Sequence, residues 1–292
     1  DSLLWGKVQK IDNAGNILYN PEGLTIFQNI VHYYDINDIG GHTMFFDGCS
    51  YYFYYNLWDT SYQDSGIFGQ KIVNDQVVWE PHGRLILNHF YTGIRIVNLM
   101  TISINQNIIA WLERDCAIGM GNPEIRIIKL NGEGEADTGW QTGGKLIFDF
   151  LGQPFETLCV TEYDEGYIFL ASTHIDMYNS NSCYYQIVDF NGNTQLTDAG
   201  LLFTETNMIV NNAFWYNQLN IIIEKNAEQD RYVKQINFSL FNNILTPLFT
   251  EPVSLSDQLF WQHGYCFGSS YNDVYLAYIQ DNHVKLKILN GF

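Results

Sequence analysis

One spacing recurs four times in this chain and constrains its fold more than any other feature. A bulky residue is followed after three positions by a glycine, and after two more positions by an apolar residue. The four copies are Tyr19, Gly23 and Ile26; Trp79, Gly83 and Ile86; Trp140, Gly144 and Ile147; and Leu196, Gly200 and Phe203. Such repetition indicates units that stack on one another, because a single small unit cannot bury both of its faces. Trp79 and Trp140 are therefore expected to be structural and to pack against an adjacent unit.

A short apolar segment and a turn precede the copies of this spacing. The turns, at residues 12–15, 131–132 and 189–192, are rich in Asn, Asp and Gly. Since these residue types tolerate positive φ, each apolar segment is predicted to form a β-hairpin with the residues that follow its turn. Weaker copies lie at residues 235–237 and 287–291.

A second set of segments lies upstream of the hairpins and recurs at intervals of about 50–60 residues, a period typical of repeat folds. It comprises residues 51–55, 108–112, 167–171, 220–224 and 274–279. Aromatic and β-branched residues dominate these segments without alternating with polar ones, which predicts strands buried on both faces. Small sheets that cover each other on both faces are the arrangement of a β-propeller.

These patterns together predict an all-β fold, a five-bladed β-propeller that forms a single domain over residues 1–292. The chain both opens and ends at a hairpin strand, so we expect the N-terminal strands to close the ring. Six blades are the alternative. The expected repeat units cover residues 27–86, 87–147, 148–203, 204–252, and 253–292 together with 1–26.

The repeat unit can be written D-x-x-(W/F)-G-x-K-(I/V)-(D/N)-x-x-G-x-x-x-W-x-x-x-G, and residues 68–72 with Trp79 match it best. It resembles the propeller-type repeats of large secreted bacterial surface proteins. The resemblance covers residues 1–203 and fades beyond them, where residues 241–244 replace the glycine-bearing turn. It implies a secreted or cell-surface location and a binding or display role, and it supplies no catalytic residues.

The charge of the chain excludes two classes of partner. Lys and Arg total 14 against 32 Asp and Glu, a formal net charge of −18, which repels nucleic acid and anionic membrane surfaces. No stretch approaches the roughly 20 apolar residues that a membrane-spanning helix requires. We therefore expect no nucleic-acid partner and no membrane insertion. Because the chain opens at Asp1 without Met or a leader, we interpret it as a processed protein or a fragment.

No residue pattern predicts a metal ion or a cofactor. The seven histidines lack H-x-x-x-H spacing, and the cysteines lack C-x-x-C spacing. The cysteines are expected to be buried structural thiols. They are Cys49, Cys116, Cys159, Cys183 and Cys266.

Three places combine an aromatic ring with a polar neighbour, as sugar-binding sites do. Two of them follow or end a predicted buried strand, and hence are expected near one rim of the ring. The predicted ligand-binding residues, for a glycan or a protein partner, are Trp58 with Asp59, Trp111 with Glu113, and Trp215 with Tyr216.

The distribution of carboxylates bears on catalysis. A glycosidase needs two carboxylates about 5–10 Å apart. The candidate acids Asp35, Asp59, Asp115, Asp164 and Glu224 mostly fall in turns or at strand ends, where solvated acids are common. The segments expected to line the axis carry only Glu162; they are residues 42–46, 99–104, 158–162, 209–214 and 260–267. We therefore predict a non-catalytic surface-binding module, with a carbohydrate-active enzyme as the alternative.

Overall fold

The computed structural model describes residues 5–28, 36–59, 65–81, 83–103, 105–116, 123–149, 155–174, 181–197, 199–204, 208–215, 218–227, 230–248, 253–254, 265–270, 273–280 and 283–289. After residue 250 the description is of the backbone alone. The chain divides into two compact units, Asp1–Gly152 and Gln153–Phe292, called here the N-terminal and C-terminal units. Each unit is described by itself.

The described part of the N-terminal unit consists of β-strands and loops. Its strands are β1 (Trp5–Val8), β2 (Leu24–Gln28), β3 (Ile36–Phe46), β4 (Ser50–Asp59), β5 (Ser65–Val73), β6 (Gln76–Val77), β7 (Arg84–Asn88), β8 (Ile94–Thr101), β9 (Ile108–Asp115), β10 (Pro123–Lys129) and β11 (Lys145–Asp149). They form three antiparallel sheets: β1–β2, β3–β7, and β8–β11 in sequence order.

The C-terminal unit continues in the same way. Its described strands are β12 (Phe155–Tyr163), β13 (Gly166–His174), β14 (Asn181–Asp189), β15 (Leu201–Thr204), β16 (Met208–Trp215), β17 (Leu219–Ala227), β18 (Asp230–Phe241), β19 (Ile244–Pro247), β20 (Val253–Ser254), β21 (Tyr265–Ser270), β22 (Asp273–Gln280) and β23 (His283–Leu289). Three sheets result, β12–β15, β16–β20 and β21–β23.

The sheets are antiparallel meanders in which consecutive strands are neighbours, apart from short strands added at their edges. The prediction of an all-β fold is confirmed, because the described residues contain no helix. In that part of the chain there is accordingly no helix long and apolar enough to cross a membrane.

The recurring glycine marks where the outermost strand of a sheet begins. Gly23, Gly83, Gly144 and Gly200 have φ values of 78°, 77°, 73° and 65°. Strands β2, β7, β11 and β15 each start at the next residue. The glycine N–H also closes a turn in every copy, as in the 2.8 Å hydrogen bond from Gly83 to the carbonyl of Glu80. A residue with a Cβ is strained at such φ values, which explains why glycine recurs there.

A glutamine holds the bulky repeat position in three of the four copies. The side-chain oxygen of Gln70 accepts hydrogen bonds from the N–H groups of Lys71, at 3.0 Å, and Trp79, at 3.1 Å. Its amide nitrogen donates to the carbonyl of Glu80 at 3.0 Å. Gln9 and Gln186 make the same three bonds to their own neighbours. Each such glutamine lies in or directly after a strand (β1, β5 or β14) and thereby ties it to the segment that leads into the last strand of the same sheet.

Strand β4 is buried on both faces, as the absence of polar alternation predicts. Tyr52 and Tyr54 belong to a cluster shared with the sheet β8–β11. Tyr55 and Leu57, on the opposite face, belong to a cluster that contains Ile26 and Phe27 of β2. The rings of Phe27 and Tyr55 stack with centroids 4.4 Å apart. The sheet β3–β7 is therefore covered by neighbouring sheets on both sides.

The same packing recurs in the C-terminal unit. Ile168 and Leu170 of β13 share one apolar cluster with Val210 and Ala213 of β16 and Phe238 of β18. The first strands of successive sheets also lie side by side in both units, β3 with β8 and β12 with β16. Those first strands include most of the segments expected to line the axis; of residues 260–267, only 265–267 lie within the described part.

None of the four described cysteines is in a disulfide, and their burial differs from one to the next. Cys159 and Cys183 are buried in the C-terminal unit, where burial raises the pKa of Cys159 to about 12 and that of Cys183 to about 11. Cys49 is exposed and Cys116 half-buried, so the expectation of buried thiols is wrong for these two. Cys49 directly follows Gly48 in the turn between β3 and β4, which explains its exposure. Cys266 has no described side chain.

Candidate functional site

A pocket of about 410 Å³ lies at one end of the sheets β12–β15 and β16–β20, within the C-terminal unit. Three chain segments line it: the turn between β12 and β13, the last residue of β16, and the turn between β18 and β19. The lining residues are Tyr163, Asp164, Glu165, Trp215, Leu240, Phe241, Asn242 and Asn243.

The first segment is a tight turn that presents two carboxylates. Tyr163 pairs with Gly166 in the antiparallel ladder, so Asp164 and Glu165 occupy the two-residue loop between them. Gly166 packs so closely on β14 that a Cβ there would collide with the carbonyl oxygen of Val188. This close approach fixes the turn against the next strand and hence the position of both acids.

The second segment contributes an indole ring. Trp215 ends β16 and pairs with Leu219 of β17. Its side chain is half-buried against the apolar cluster of the unit. The ring lies 5.5 Å from the ring of Tyr163, tilted by 60°. Two aromatic side chains from neighbouring sheets thus form one wall of the pocket.

The third segment is a hairpin turn with two asparagines. Asn242 and Asn243 have φ values of 50° and 62°, and Phe241 pairs with Ile244 around them. Two successive positive φ values define the type I′ turn that suits a two-residue hairpin. Phe241 is 74% exposed. The turn therefore offers amide groups and an exposed aromatic ring at the mouth of the pocket.

The electrostatics of the pocket are negative. Burial raises the pKa of the Tyr163 hydroxyl, and the negative charges of Glu165 and Asp189 raise it further. This hydroxyl can donate or accept a hydrogen bond. The described lining residues include two carboxylates and neither lysine nor arginine.

This combination of groups suits a sugar. The half-buried ring of Trp215, supported by the buried ring of Tyr163, can pack against the apolar face of a pyranose ring. Carboxylates and amides can accept or donate hydrogen bonds to its hydroxyls. Asp164 and Glu165 are in addition the groups in the pocket that can transfer protons to or from a bound substrate.

Trp58 and Asp59 lie at the end of β4, in the N-terminal unit. The indole N–H of Trp58 donates to the carbonyl of Ile96 at 2.9 Å, and the guanidinium of Arg95 lies 4.1 Å from the ring centroid. One ring face is therefore occupied by a cation. The side chain of Asp59 lies outside the described residues.

Trp111 and Glu113 are parts of a buried network. Trp111 is fully buried, so neither ring face is accessible to a ligand, and its N–H donates to Glu113 at 2.6 Å. Glu113 also accepts from Arg126 at 2.7 Å and lies 3.1 Å from His89. Burial alone opposes ionisation of Glu113, but the hydrogen bonds from His89 and Trp111 and the charges of His89 and Arg126 outweigh it and lower the pKa. The geometry gives both residues a structural role.

The predicted ligand-binding residues of the C-terminal unit are Trp215 and Tyr216. Trp215 lies in the pocket, while Tyr216 is outside the described residues. The sequence offers Asp164 as a candidate acid but gives no sign that it lies beside Trp215. The missed residues Tyr163 and Glu165 adjoin it, and an aromatic followed by two acids in a turn is the signal that could have found them.

The described side chains contain no group of three or more His, Cys, Asp and Glu residues that could hold a metal ion.

Comparison with known proteins yields matches by structure alone. No protein-family profile matches the chain, and no curated protein matches its sequence. The Hadza microbial sialidase Hz136 superposes with a TM-score of 0.54 at 11% identity, over 87% of this chain and 53% of the sialidase. The polysaccharide lyase Uly1 superposes with a TM-score of 0.51 at 13% identity, over 85% of this chain and 57% of the lyase. The chain thus spans little more than half the length of either protein.

These likenesses correct the functional prediction. Identities of 11% and 13% indicate a shared fold. Both of these proteins are enzymes by name, so this fold does not exclude catalysis, and the prediction of a non-catalytic module that was drawn from it is wrong. The prediction considered carboxylates on the first strands, whereas Asp164 and Glu165 of the pocket lie in the turn that follows one of those strands.

Proposed function

We propose that this chain is a carbohydrate-active enzyme that cleaves a polysaccharide at the pocket of the C-terminal unit. The observation that carries the proposal is the convergence of Trp215 and Tyr163 with Asp164 and Glu165 in one cavity of about 410 Å³. That volume lies in the range of small-molecule sites, about 300–1,000 Å³, and admits one or two sugar rings. The fold shared with a sialidase and a polysaccharide lyase supports a carbohydrate-active enzyme.

The chemistry available is acid–base cleavage of a glycosidic bond. Such cleavage requires one carboxylic acid that protonates the leaving oxygen and one carboxylate that acts as base or nucleophile. Asp164 and Glu165 supply both groups in this proposal. The aromatic wall positions the ring, and the Tyr163 hydroxyl donates a hydrogen bond to it.

The test is the release of sugar from a panel of neutral, amine-bearing and uronic-acid polysaccharides. New reducing ends report hydrolysis, and ultraviolet absorbance of an unsaturated product reports elimination. Asp164→Asn and Glu165→Gln should each lower the rate by about 100-fold or more, the typical contribution of a general acid or base. Glu22→Gln, whose side chain is 83% exposed in the other unit, is the control. Absence of product from every polymer, or unchanged rates in both variants, would overturn the proposal.

We propose further that the sheets are the blades of one five-bladed propeller. Five described sheets begin at β3, β8, β12, β16 and β21, one for each expected repeat unit. In this proposal the pair β1–β2 closes the ring beside β21–β23, which has three described strands. Six blades, with β1–β2 as part of the sixth, are the alternative.

Amine-reactive cross-linking tests this closure. Lys7 lies in β1 and Lys10 soon after it, while Lys285 and Lys287 lie in β23. A closed five-bladed ring should give cross-links between the two pairs in the monomer. Their absence, with normal cross-linking elsewhere, would favour the alternative.

A polysaccharide substrate suits the secreted or cell-surface location that the repeat motif implies, and we include that location in the proposal. Fractionation of the producing cells, with the chain detected outside the cytoplasm, is the expected result. Confinement to the cytoplasm would contradict it.

A further inference from the structure

The charge of the pocket selects among polysaccharides. Resting on the proposed function, we infer that the pocket takes sugars that carry no carboxylate and prefers an amine-bearing sugar to a neutral one. The preference is set by Asp164 and Glu165, two acids in a single turn that both face the cavity. The two acids would attract a bound ammonium group and repel a bound carboxylate.

The turn between β12 and β13 adds negative charge to the pocket. Asp164 and Glu165 line the cavity directly. Asp189 pairs with Gly166, the residue that follows this turn, and its charge raises the pKa of the Tyr163 hydroxyl. Asp189 is held in place by the N–H groups of Asn191, at 2.9 Å, and Asn193, at 2.8 Å. Two carboxylates therefore line the cavity, and a third lies on the adjoining strand.

Basic residues of the adjoining sheet lie far from the pocket along the strands. Trp215 pairs with Leu219 at the pocket end of β16, whereas Lys225 pairs with Met208 at the other end. Six residues separate Leu219 from Lys225 on β17, which at about 3.3 Å per residue is about 20 Å. Arg231 pairs with Asn226, at that same distant end. Lys234 pairs with Ile223, four positions from Leu219, which is about 13 Å along the strand. At about 8–10 Å, the Debye length at ordinary salt is shorter than each of these separations.

The other residues that line the pocket are neutral. Asn242 and Asn243 present amides, and Trp215, Phe241 and Leu240 present apolar surface. None of these offers the bidentate cation that usually pairs with a carboxylate. A uronate or sialate would thus meet two like charges without compensation. A neutral sugar would keep the stacking and the hydrogen bonds, and an amino sugar would add an ion pair.

The experiment compares three probes of equal length with the full chain: glucosamine oligomers, their N-acetylated counterparts and galacturonate oligomers. Affinities are measured by calorimetry at a pH at which the amine is protonated. We expect the amino sugar to bind about tenfold or more tightly than the galacturonate, as two charges acting over several ångströms near a protein surface would produce. The neutral oligomer should lie between them. Raising the salt concentration should narrow the difference.

Matched charge variants identify the source of the preference. Asp164→Asn combined with Glu165→Gln should abolish the difference between the amino sugar and its neutral counterpart. Glu22→Gln combined with Glu133→Gln removes the same number of exposed charges elsewhere and should leave that difference intact; these side chains are 83% and 67% exposed. Tighter binding of the galacturonate, or a preference unchanged in the pocket variant, would overturn the inference alone. Failure of all three probes to bind would overturn the proposed function with it.

Discussion

The rings of Tyr163 and Trp215 lie 5.5 Å apart and are tilted by 60°, although 52 positions separate them in the chain. Tyr163 ends β12 and Trp215 ends β16, the first strands of two successive sheets. Because these two strands lie side by side, residues at their ends meet. The aromatic wall of the pocket is therefore a product of sheet packing.

Replacing Trp215 should weaken sugar binding more than it weakens the fold. Trp215→Ala removes one face of the wall, and we expect affinity for the bound oligosaccharide to fall about tenfold, in line with the contribution of an aromatic contact and its buried area. Trp215→Phe should retain most of the affinity. Calorimetry measures both.

Trp140→Ala is the control for loss of a half-buried indole. This ring lies in the N-terminal unit, with the Lys145 ammonium 4.8 Å from its centroid. The Trp140→Ala substitution should lower the melting temperature of the protein without changing its affinity for the oligosaccharide. Equal affinity losses in Trp140→Ala and Trp215→Ala would show that the effect is one of stability.

Removing the buried glutamine of the repeat should destabilise the chain strongly. Gln70→Ala leaves the N–H groups of Lys71 and Trp79 without their acceptor inside the protein. Each buried unsatisfied group costs about 1–3 kcal/mol, so we expect a loss of about 3 kcal/mol or more in the free energy of unfolding.

Gln9→Ala is the matched variant, because Gln9 makes the same bonds at an exposed position. Water can replace that side chain, so the expected loss is below about 1 kcal/mol. Chemical denaturation of both variants provides the comparison. Similar losses in the two variants would mean that burial does not determine how much this hydrogen-bond pattern stabilises the protein.

Gly144 separates two effects of a glycine substitution. Gly144→Ala places a Cβ 2.8 Å from the carbonyl oxygen of Ile127 and into the ring of buried Trp111, at a φ of 73°. Gly139 has a φ of 85° and open space around it. Gly139→Ala should therefore lose about 1–2 kcal/mol through backbone strain alone. Gly144→Ala should lose clearly more, and equal melting temperatures for the two variants would contradict the packing argument.

The network around Glu113 should make stability depend on acid pH. The lowered pKa of Glu113 means that its stabilising contribution is present above the unfolded value, about 4.3, and is lost as the pH falls through the folded value. Glu113→Gln should lower stability at pH 7 by about 3 kcal/mol, as for a buried ion pair that loses one member. The difference from wild type should shrink as the pH falls below about 4.

Glu135→Gln is the control for this pH dependence. Glu135 pairs with Arg84 at 2.7 Å but is 61% exposed. An exposed ion pair contributes less than about 1 kcal/mol. Melting curves between pH 3 and 7 distinguish the two variants, and a pH-independent loss in Glu113→Gln would show that the lost hydrogen-bond acceptor rather than the charge is responsible.

The backbone of the repeat was predictable because its causes are local. A positive φ requires a residue without a Cβ, so Gly23, Gly83, Gly144 and Gly200 are visible in the sequence as a fixed spacing. Burial of β4 on both faces was visible for a similar reason, since the segment lacks polar alternation. Strand identity and the all-β class followed from these two signals.

The role of each aromatic was not predictable, because ring exposure depends on the neighbouring sheet. In the sequence, Trp111 and Trp215 both lie at or just after the end of an apolar run and have polar neighbours. Nothing in the sequence distinguishes their roles. In the structure Trp111 is enclosed by a neighbouring sheet and bound to Glu113, whereas Trp215 meets Tyr163 at an opening. The distinction arises from packing between sheets.

The sequence by itself therefore determined the repeat, its turns and the secondary structure, because each of these depends on conformational preferences within a few residues. Only the tertiary structure decided where the candidate site lies. Its three segments, at residues 163–165, 215 and 240–243, are far apart in the chain and meet because two sheets pack together. Contact of this kind depends on the register and stacking of whole strands, which no short stretch of residues encodes.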